Sequence, residues 1–135
     1  MSADFDEFMS QREAASIAYI RGDTAGLAAI LTHQDPATFM PPSGAVVEGS
    51  EAAAEAQLRG AAAFGPRSSG HFEVLNSGAS GDLAFWTGRQ IATMDVEGQD
   101  DAVPMVLRTT EVFRREEGHW KLVHRHADMA RPSDG

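Results

Sequence analysis

The sequence predicts an α+β domain in which helices pack on one face of a curved sheet. Two observations carry this prediction. The first half repeats apolar residues at the three- and four-residue spacing of helices, whereas the second half holds four long strand-forming runs joined by short, glycine-bearing connections. Helices first and an uninterrupted meander afterwards is the order of an α+β domain, not of alternating βα units. The 135 residues fit one domain, 1–135, with an ordered core over about 5–129. A chain of this size buries roughly two-thirds of its unfolded surface and needs no covalent staples.

The elements follow in order. Phe5, Phe8, Met9, Arg12, Ala15 and Tyr19 mark one face of a first helix, and Asp4 with Glu7 is placed to cap it. Gly22 suits the left-handed residue that ends this helix, and Asp23 caps a second, short helix reaching about Leu31. Residues Ala37 to Met40 form a short strand stopped by Pro41-Pro42. Ser43-Gly44 then turns the chain, and Ala45 to Glu48 returns as the partner strand. Ser50 caps an alanine-rich third helix to about Ala63, which Gly65-Pro66 ends. The long strands run from His71 to Asn76, Leu83 to Met94, Val106 to Arg115 and Trp120 to Met129. Glu116-Glu117-Gly118 joins the last two as a tight hairpin, with glycine where positive φ is needed.

Composition narrows the function. Hydrophobic residues are 42% and charged residues 23% of the chain, the mixture of a globular domain. The absence of cysteine excludes a disulfide scaffold, a cysteine nucleophile and thiolate metal sites. A net charge of −9 argues against nucleic acid and anionic membranes as partners. No apolar run approaches the ~20 residues of a membrane helix, and the acidic N-terminus lacks the layout of a signal peptide. The expected location is cytoplasmic.

Several segments resemble a known family. They are Ala18-Tyr19-Ile20-Arg21-Gly22-Asp23, Phe39-Met40-Pro41-Pro42-Ser43-Gly44 with Val47-Glu48-Gly49, and Gly81-Asp82-Leu83-Ala84. The most specific is the run from Arg108 to His126, with its Gly118-His119-Trp120 and His124-Arg125-His126. Together these resemble a SnoaL-like domain of the nuclear transport factor 2-like superfamily. The closing hairpin is particularly similar to the association (hub) domain of calcium/calmodulin-dependent kinase. The resemblance implies a cone-shaped fold of three helices over a six-stranded, mostly antiparallel curved sheet. It also implies homodimers formed through the outer face of that sheet. It does not single out one activity, because the superfamily holds isomerases, cyclases, dehydratases and modules without catalysis.

Glu111 is the leading candidate for chemistry. It sits mid-strand between Thr109 and Phe113, where a carboxylate among apolar residues is costly unless paired. In a cavity it is an acid–base candidate, and its position resembles one that faces the cavity in ketosteroid isomerases and hub domains. Arg89, in Trp86-Thr87-Gly88-Arg89-Gln90, resembles a pocket arginine of the hub domains. It would orient an anionic substrate group, or else pair with Glu111 and keep it ionised. Tyr19, Met40, Phe85 and Arg125 are expected to shape the ligand cavity, Phe85 by strand parity with Arg89. Two isomerase positions depart from that family's pattern, with Ala15 for its tyrosine and Pro41 for its aspartate, and Ala127 replaces a second hub arginine.

In an unbroken register, alternation places His124, His126 and Asp128 on one face with Trp120 and Leu122, and Val123, Arg125 and Ala127 on the cavity face; a bulge would reverse this assignment. His-x-His with an acid is a pattern that can hold zinc or iron, but His33 and His71 are isolated and no further ligand is evident. No metal and no cofactor is therefore expected. The sequence supports a small-molecule-binding protein with a polar or anionic ligand and a lone acid–base carboxylate, as in a lyase, isomerase or hydrolase. The alternative is a non-catalytic dimerisation or association module.

Overall fold

The computed structural model describes residues 2–131, with side chains described from Asp4 onward. Residues 1 and 132–135 of the expected 1–135 domain lie outside the described residues. The elements are α1 (Ser2–Tyr19), α2 (Ala25–Ile30), β1 (Thr38–Met40), β2 (Val47–Glu48) and α3 (Ser50–Arg59), which a 3-10 turn (Gly60–Ala63) extends. Four long strands follow: β3 (Ser69–Ser80), β4 (Leu83–Met94), β5 (Val103–Glu116) and β6 (His119–Met129). All six strands form one sheet in the order β2-β1-β6-β5-β4-β3. Among the described residues, β1–β6 is the only parallel pairing between these strands. The architecture is α+β with a six-stranded, mostly antiparallel sheet.

Local chemistry explains most boundaries. Gly22 has φ +94° and its N–H donates to Tyr19, while the Asp23 N–H donates to Ala18. These two bonds are the Schellman ending that a left-handed glycine permits. The N-cap of α2 is Thr24 rather than the expected Asp23, whose carboxylate accepts from the Ala25 N–H at 3.0 Å. Two other expected caps are corrected. Asp4 lies inside α1, and its carboxylate accepts from Arg115 and from Trp120 Nε1 at 2.9 and 3.0 Å. Ser50 is the first residue of α3 rather than its cap, and its N–H donates to Asp35 at 2.7 Å. Glu117 and Gly118 both have positive φ, 52° and 82°, as a two-residue β5–β6 hairpin requires.

Two bulges set the faces of the sheet. In β6, Leu122 pairs with Phe113 and His124 with Val112, so Val123 is the extra residue. Simple alternation puts Trp120 and Leu122 on the face of His124. The bulge corrects this: Trp120 and Leu122 are buried in the core cluster with Phe113, on the side where Arg125 meets Glu111. In β3 the register shifts between Val74 and Asn76.

The core occupies one end of the space between helices and sheet. Phe5 and Phe8 of α1 pack on Phe113 with ring centroids 5.8 and 5.0 Å apart, and Phe5 meets Trp120 edge-on at 5.6 Å. Leu27, Leu31, Ala84, Trp86 and Leu122 complete the cluster. Among the described residues, no helix is long and apolar enough to cross a membrane.

Gly88 faces the β3 bulge. A Cβ built there would lie 2.0 Å from the Glu73 carbonyl oxygen and 3.0 Å from the Leu75 nitrogen, both main-chain atoms that cannot swing aside. Gly88→Ala is expected to destabilise the protein by about 3 kcal/mol, the upper end for overpacking. Urea unfolding checks this: an unchanged midpoint would mean that β3 does not press on Gly88.

Candidate functional site

The remaining space between helices and sheet is a cavity of about 280 Å3. Arg12, Ser16 and Tyr19 reach it from α1, because four- and three-residue steps keep side chains on one helical face, and Ile20 reaches it from the turn that follows. Gln57 enters from α3, Phe39 from β1, Gln90 and Met94 from β4, Met105 and Leu107 from β5, and Arg125 and Met129 from β6. The wall is mostly apolar, with Arg12, Ser16, Tyr19, Gln57, Gln90 and Arg125 as its polar groups, which is the usual character of a small-ligand site.

Glu111 lies beneath one end of this cavity and is fully buried. Four N–H groups converge on its carboxylate: Arg12 Nε at 2.9 Å and Nη2 at 2.7 Å, Trp86 Nε1 at 2.8 Å, and Arg125 Nη1 at 2.7 Å. Burial alone would push the carboxyl up. The charges of Arg12 and Arg125, with the hydrogen bonds from Arg12 and Trp86, outweigh it and hold the group at about 2. Glu111 is therefore ionised at neutral pH. Arg125 is lowered from its ordinary value by burial, against the pull of Glu111, and an arginine so placed stays charged. Two cations and one anion leave a single net positive charge at this end. Arg12 Nη1 is buried with no hydrogen-bond partner among the described residues.

The other predicted residues divide between the two faces of the sheet. Tyr19 and Arg125 line the cavity. The Tyr19 hydroxyl donates to the main-chain oxygen of Gln57 at 2.5 Å, and burial raises its pKa against the opposing charges of Arg125 and Arg12. Arg89, Phe85 and Met40 do not reach it, which corrects those three expectations. Trp86 and Gln90 point inward on β4, so Phe85, Thr87 and Arg89 point outward. Arg89 pairs with Glu73, its cross-strand neighbour, and not with Glu111. On β1, Phe39 is the residue that lines the cavity, while Met40 pairs with His126 on the adjacent strand. Glu111 keeps its inward parity, and the charges of Arg12 and Arg125 hold its carboxyl well below the usual range despite its burial.

Sequence reasoning missed Arg12 as a site residue, along with Ser16, Gln57 and Gln90. One signal was available for Arg12: it is a charge inside the apolar stripe of α1, four residues after Phe8. His124, His126 and Asp128 share the outer face, where His124 Nδ1 lies 2.7 Å from Thr38 Oγ1 and Asp128 accepts two bonds from Arg108 at 2.7 and 2.8 Å. Burial, then His126, lower the His124 pKa, against Glu111. Among the described residues, no group of three or more His, Asp or Glu is arranged to hold a metal ion.

Comparison with known proteins places this geometry. Residues 12–132 match the family model of the SnoaL-like domain. The fold is similar to that of a proposed dehydratase of the NTF2-like family from Streptomyces avermitilis, with a TM-score of 0.77 and 22% identity over 96% of this chain and 97% of that one. It is also similar to a ketosteroid isomerase-like protein from Erwinia carotovora atroseptica, with a TM-score of 0.67 and 20% identity over 85% and 87% of the two chains. The CaMKII hub homology domain of Chlamydomonas reinhardtii has a TM-score of 0.69 and 17% identity over 95% and 99%. At such identities the likeness shows the fold alone. None of the curated proteins matches the sequence.

The buried cluster makes stability depend on acid. Glu111 is depressed from 4.5 to about 2, so its contribution is fully present above the unfolded value and is lost as pH falls through about 2. That contribution is on the order of 3 kcal/mol. Wild-type unfolding midpoints in urea are expected to fall between pH 5 and pH 2. Glu111→Gln should remove this part of the slope and cost about 3–5 kcal/mol at pH 7, because two buried guanidinium groups lose their counter-charge. An equal slope in both proteins would mean that Glu111 does not carry the effect.

Proposed function

The chain belongs to the SnoaL-like domain family, and from that premise we propose that it binds a small, largely apolar molecule carrying an anionic group. The observation that supports this reading is the net positive charge of the Arg12–Glu111–Arg125 cluster beside an apolar cavity. The ligand's anionic group accepts from Arg12 and Arg125, and its apolar body fills the space toward Phe39, Met94 and Leu107. Glu111 positions the two guanidinium groups in this reading, rather than transferring a proton. A charged hydrogen bond in a water-poor cavity is stronger than a neutral one, which makes an anionic group the distinguishing feature of the ligand.

Thermal unfolding against small carboxylic acids with apolar bodies, and their amides, tests the proposal. A ligand at 100 times its Kd adds about 2.7 kcal/mol, a rise of several degrees for a domain of this size. Acids are expected to raise Tm and amides are not. Arg125→Met should weaken the acids about tenfold or more, as for loss of a hydrogen bond to a charged group. Equal shifts from acids and amides would refute the anionic reading.

A second reading, compatible with the first, is a homodimer through the outer face of the sheet. Leu75, Leu83 and Phe85 are 58%, 56% and 39% exposed there, beside the groove that holds Arg89, Arg108 and His126. Such a cluster of apolar side chains on a sheet face is suited to cover by a second copy. Light scattering is expected to give a dimer at micromolar concentration and a monomer for Leu75→Asp/Phe85→Asp. A wild-type monomer would end this reading and leave the first intact.

A further inference from the structure

The two arginines of the cavity are not equivalent. The side of a guanidinium that carries Nε and Nη2 presents two parallel N–H groups, spaced to meet both oxygens of a carboxylate. Arg12 holds Glu111 with this fork at 2.9 and 2.7 Å. Arg108 holds Asp128 in the same way at 2.7 and 2.8 Å, and Arg67 holds Asp95 at 3.3 and 3.0 Å. Arg125 differs from all of these. It reaches Glu111 through Nη1 at 2.7 Å, and its Nε and Nη2 have no hydrogen-bond partner among the described residues.

That empty fork is open to space. A guanidinium is planar, so the Nε–Nη2 side lies opposite Nη1 and is turned away from Glu111. Arg125 keeps 13% of its side-chain surface accessible, against 3% for Arg12. Arg12 Nη1 is sealed off without a partner, whereas Arg125 Nε and Nη2 lack partners but are not sealed. Arg125 lines the inner cavity and does not reach the groove on the outer face of the sheet.

The lining also sets the charge of what can occupy the fork. Among the described residues that line the cavity, Arg12 and Arg125 are the only cations, and Glu111 already balances one of them. Ser16, Gln57 and Gln90 add dipoles but no charge. One negative charge on a ligand therefore leaves the site neutral. A second would be buried without a counter-ion.

We infer that Arg125 grips the ligand with two bonds and that the ligand is a monocarboxylate, its two oxygens accepting from Nε and Nη2. This rests on the anion-binding reading and adds to it the side of the guanidinium and the kind of anion. Arg12, whose own fork is taken by Glu111, adds its charge and steadies Glu111, which in turn fixes the Arg125 guanidinium.

Isothermal titration at pH 7.5 tests this with phenylalkanoic acids of different chain length, their amides, the matching malonic acids and the malonic monomethyl esters. A malonic acid carries a second carboxylate on the same carbon, and its monoester keeps the bulk without that charge. Each malonate is expected to bind at least about tenfold more weakly than its monoester. Arg125→Lys keeps the positive charge and loses the fork, so it should bind the monoacids about tenfold more weakly and the amides as before. Monoacids that bind Arg125→Lys as they bind the wild type, or malonates that bind as tightly as their monoesters, would overturn this inference and leave anion binding standing. Acids that bind no better than amides, or no binding by any member of the series, would overturn both. A crystal structure of the wild-type complex needs no variant to fold: a carboxylate seated on Arg125 Nε and Nη2 is expected, and one seated elsewhere would overturn the assignment.

Discussion

The burial of one ionised carboxylate organises this protein. Glu111 has left water entirely, and an isolated charge there would be prohibitively costly. Its compensation comes from three other elements: Arg12 on α1, Trp86 on β4 and Arg125 on β6. Replacing such a buried network with apolar residues can leave stability unchanged, so its main effect need not be energetic. It is geometric. The bidentate contact from Arg12 admits a narrow range of distance and angle, and so ties α1 to the middle of the sheet in one register.

That tie also divides the interior. On the N-terminal side of Arg12, Phe5 and Phe8 interlock with Phe113 and Trp120 in tilted and edge-on contacts, and the space is filled. On the C-terminal side, Ser16, Tyr19 and Ile20 border a space that stays open, and Ser16 accepts from Gln90 on β4. Met94, Met105 and Met129 border it. Unbranched thioether side chains adjust to irregular ligands more readily than branched ones. The filled half gives rigidity to the polar cluster, and the cluster in turn presents fixed guanidinium groups to the open half.

The chemistry on each sheet face depends on small irregularities. One extra residue, Val123, lets Trp120 and Leu122 enter the aromatic core while Arg125 enters the cavity cluster, all from one strand. Without it, one of those two groups would face outward. The same bulge leaves His124, His126 and Asp128 on the outer face, near Arg108 and Arg89. The inner face is therefore an apolar site with a charged end, and the outer face is a mixed surface of paired charges and exposed apolar side chains.

Much of this was legible in the sequence, and for physical reasons. The left-handed turn at Gly22, the hairpin at Glu117-Gly118 and the four long strands are decided by residues within a few positions of each other, so glycine placement and apolar spacing determine them. The inward parity of Glu111 and the placement of Tyr19 on the cavity-facing side of α1 follow from the same periodicities. Which arginine meets Glu111 is a different kind of question. Arg12 stands 99 residues away along the chain, and only the packing of α1 on the sheet brings it there, while Arg89 finds Glu73 on the adjoining strand instead. Parity along β4 and β1 likewise depends on which face the folded core selects, so Phe85 and Met40 went outward and Phe39 inward. The sequence by itself determined the elements, their order and the presence of a carboxylate that needed partners. Tertiary structure decided the partners and the faces, because a one-residue bulge reverses a strand and a long-range ion pair has no local signature.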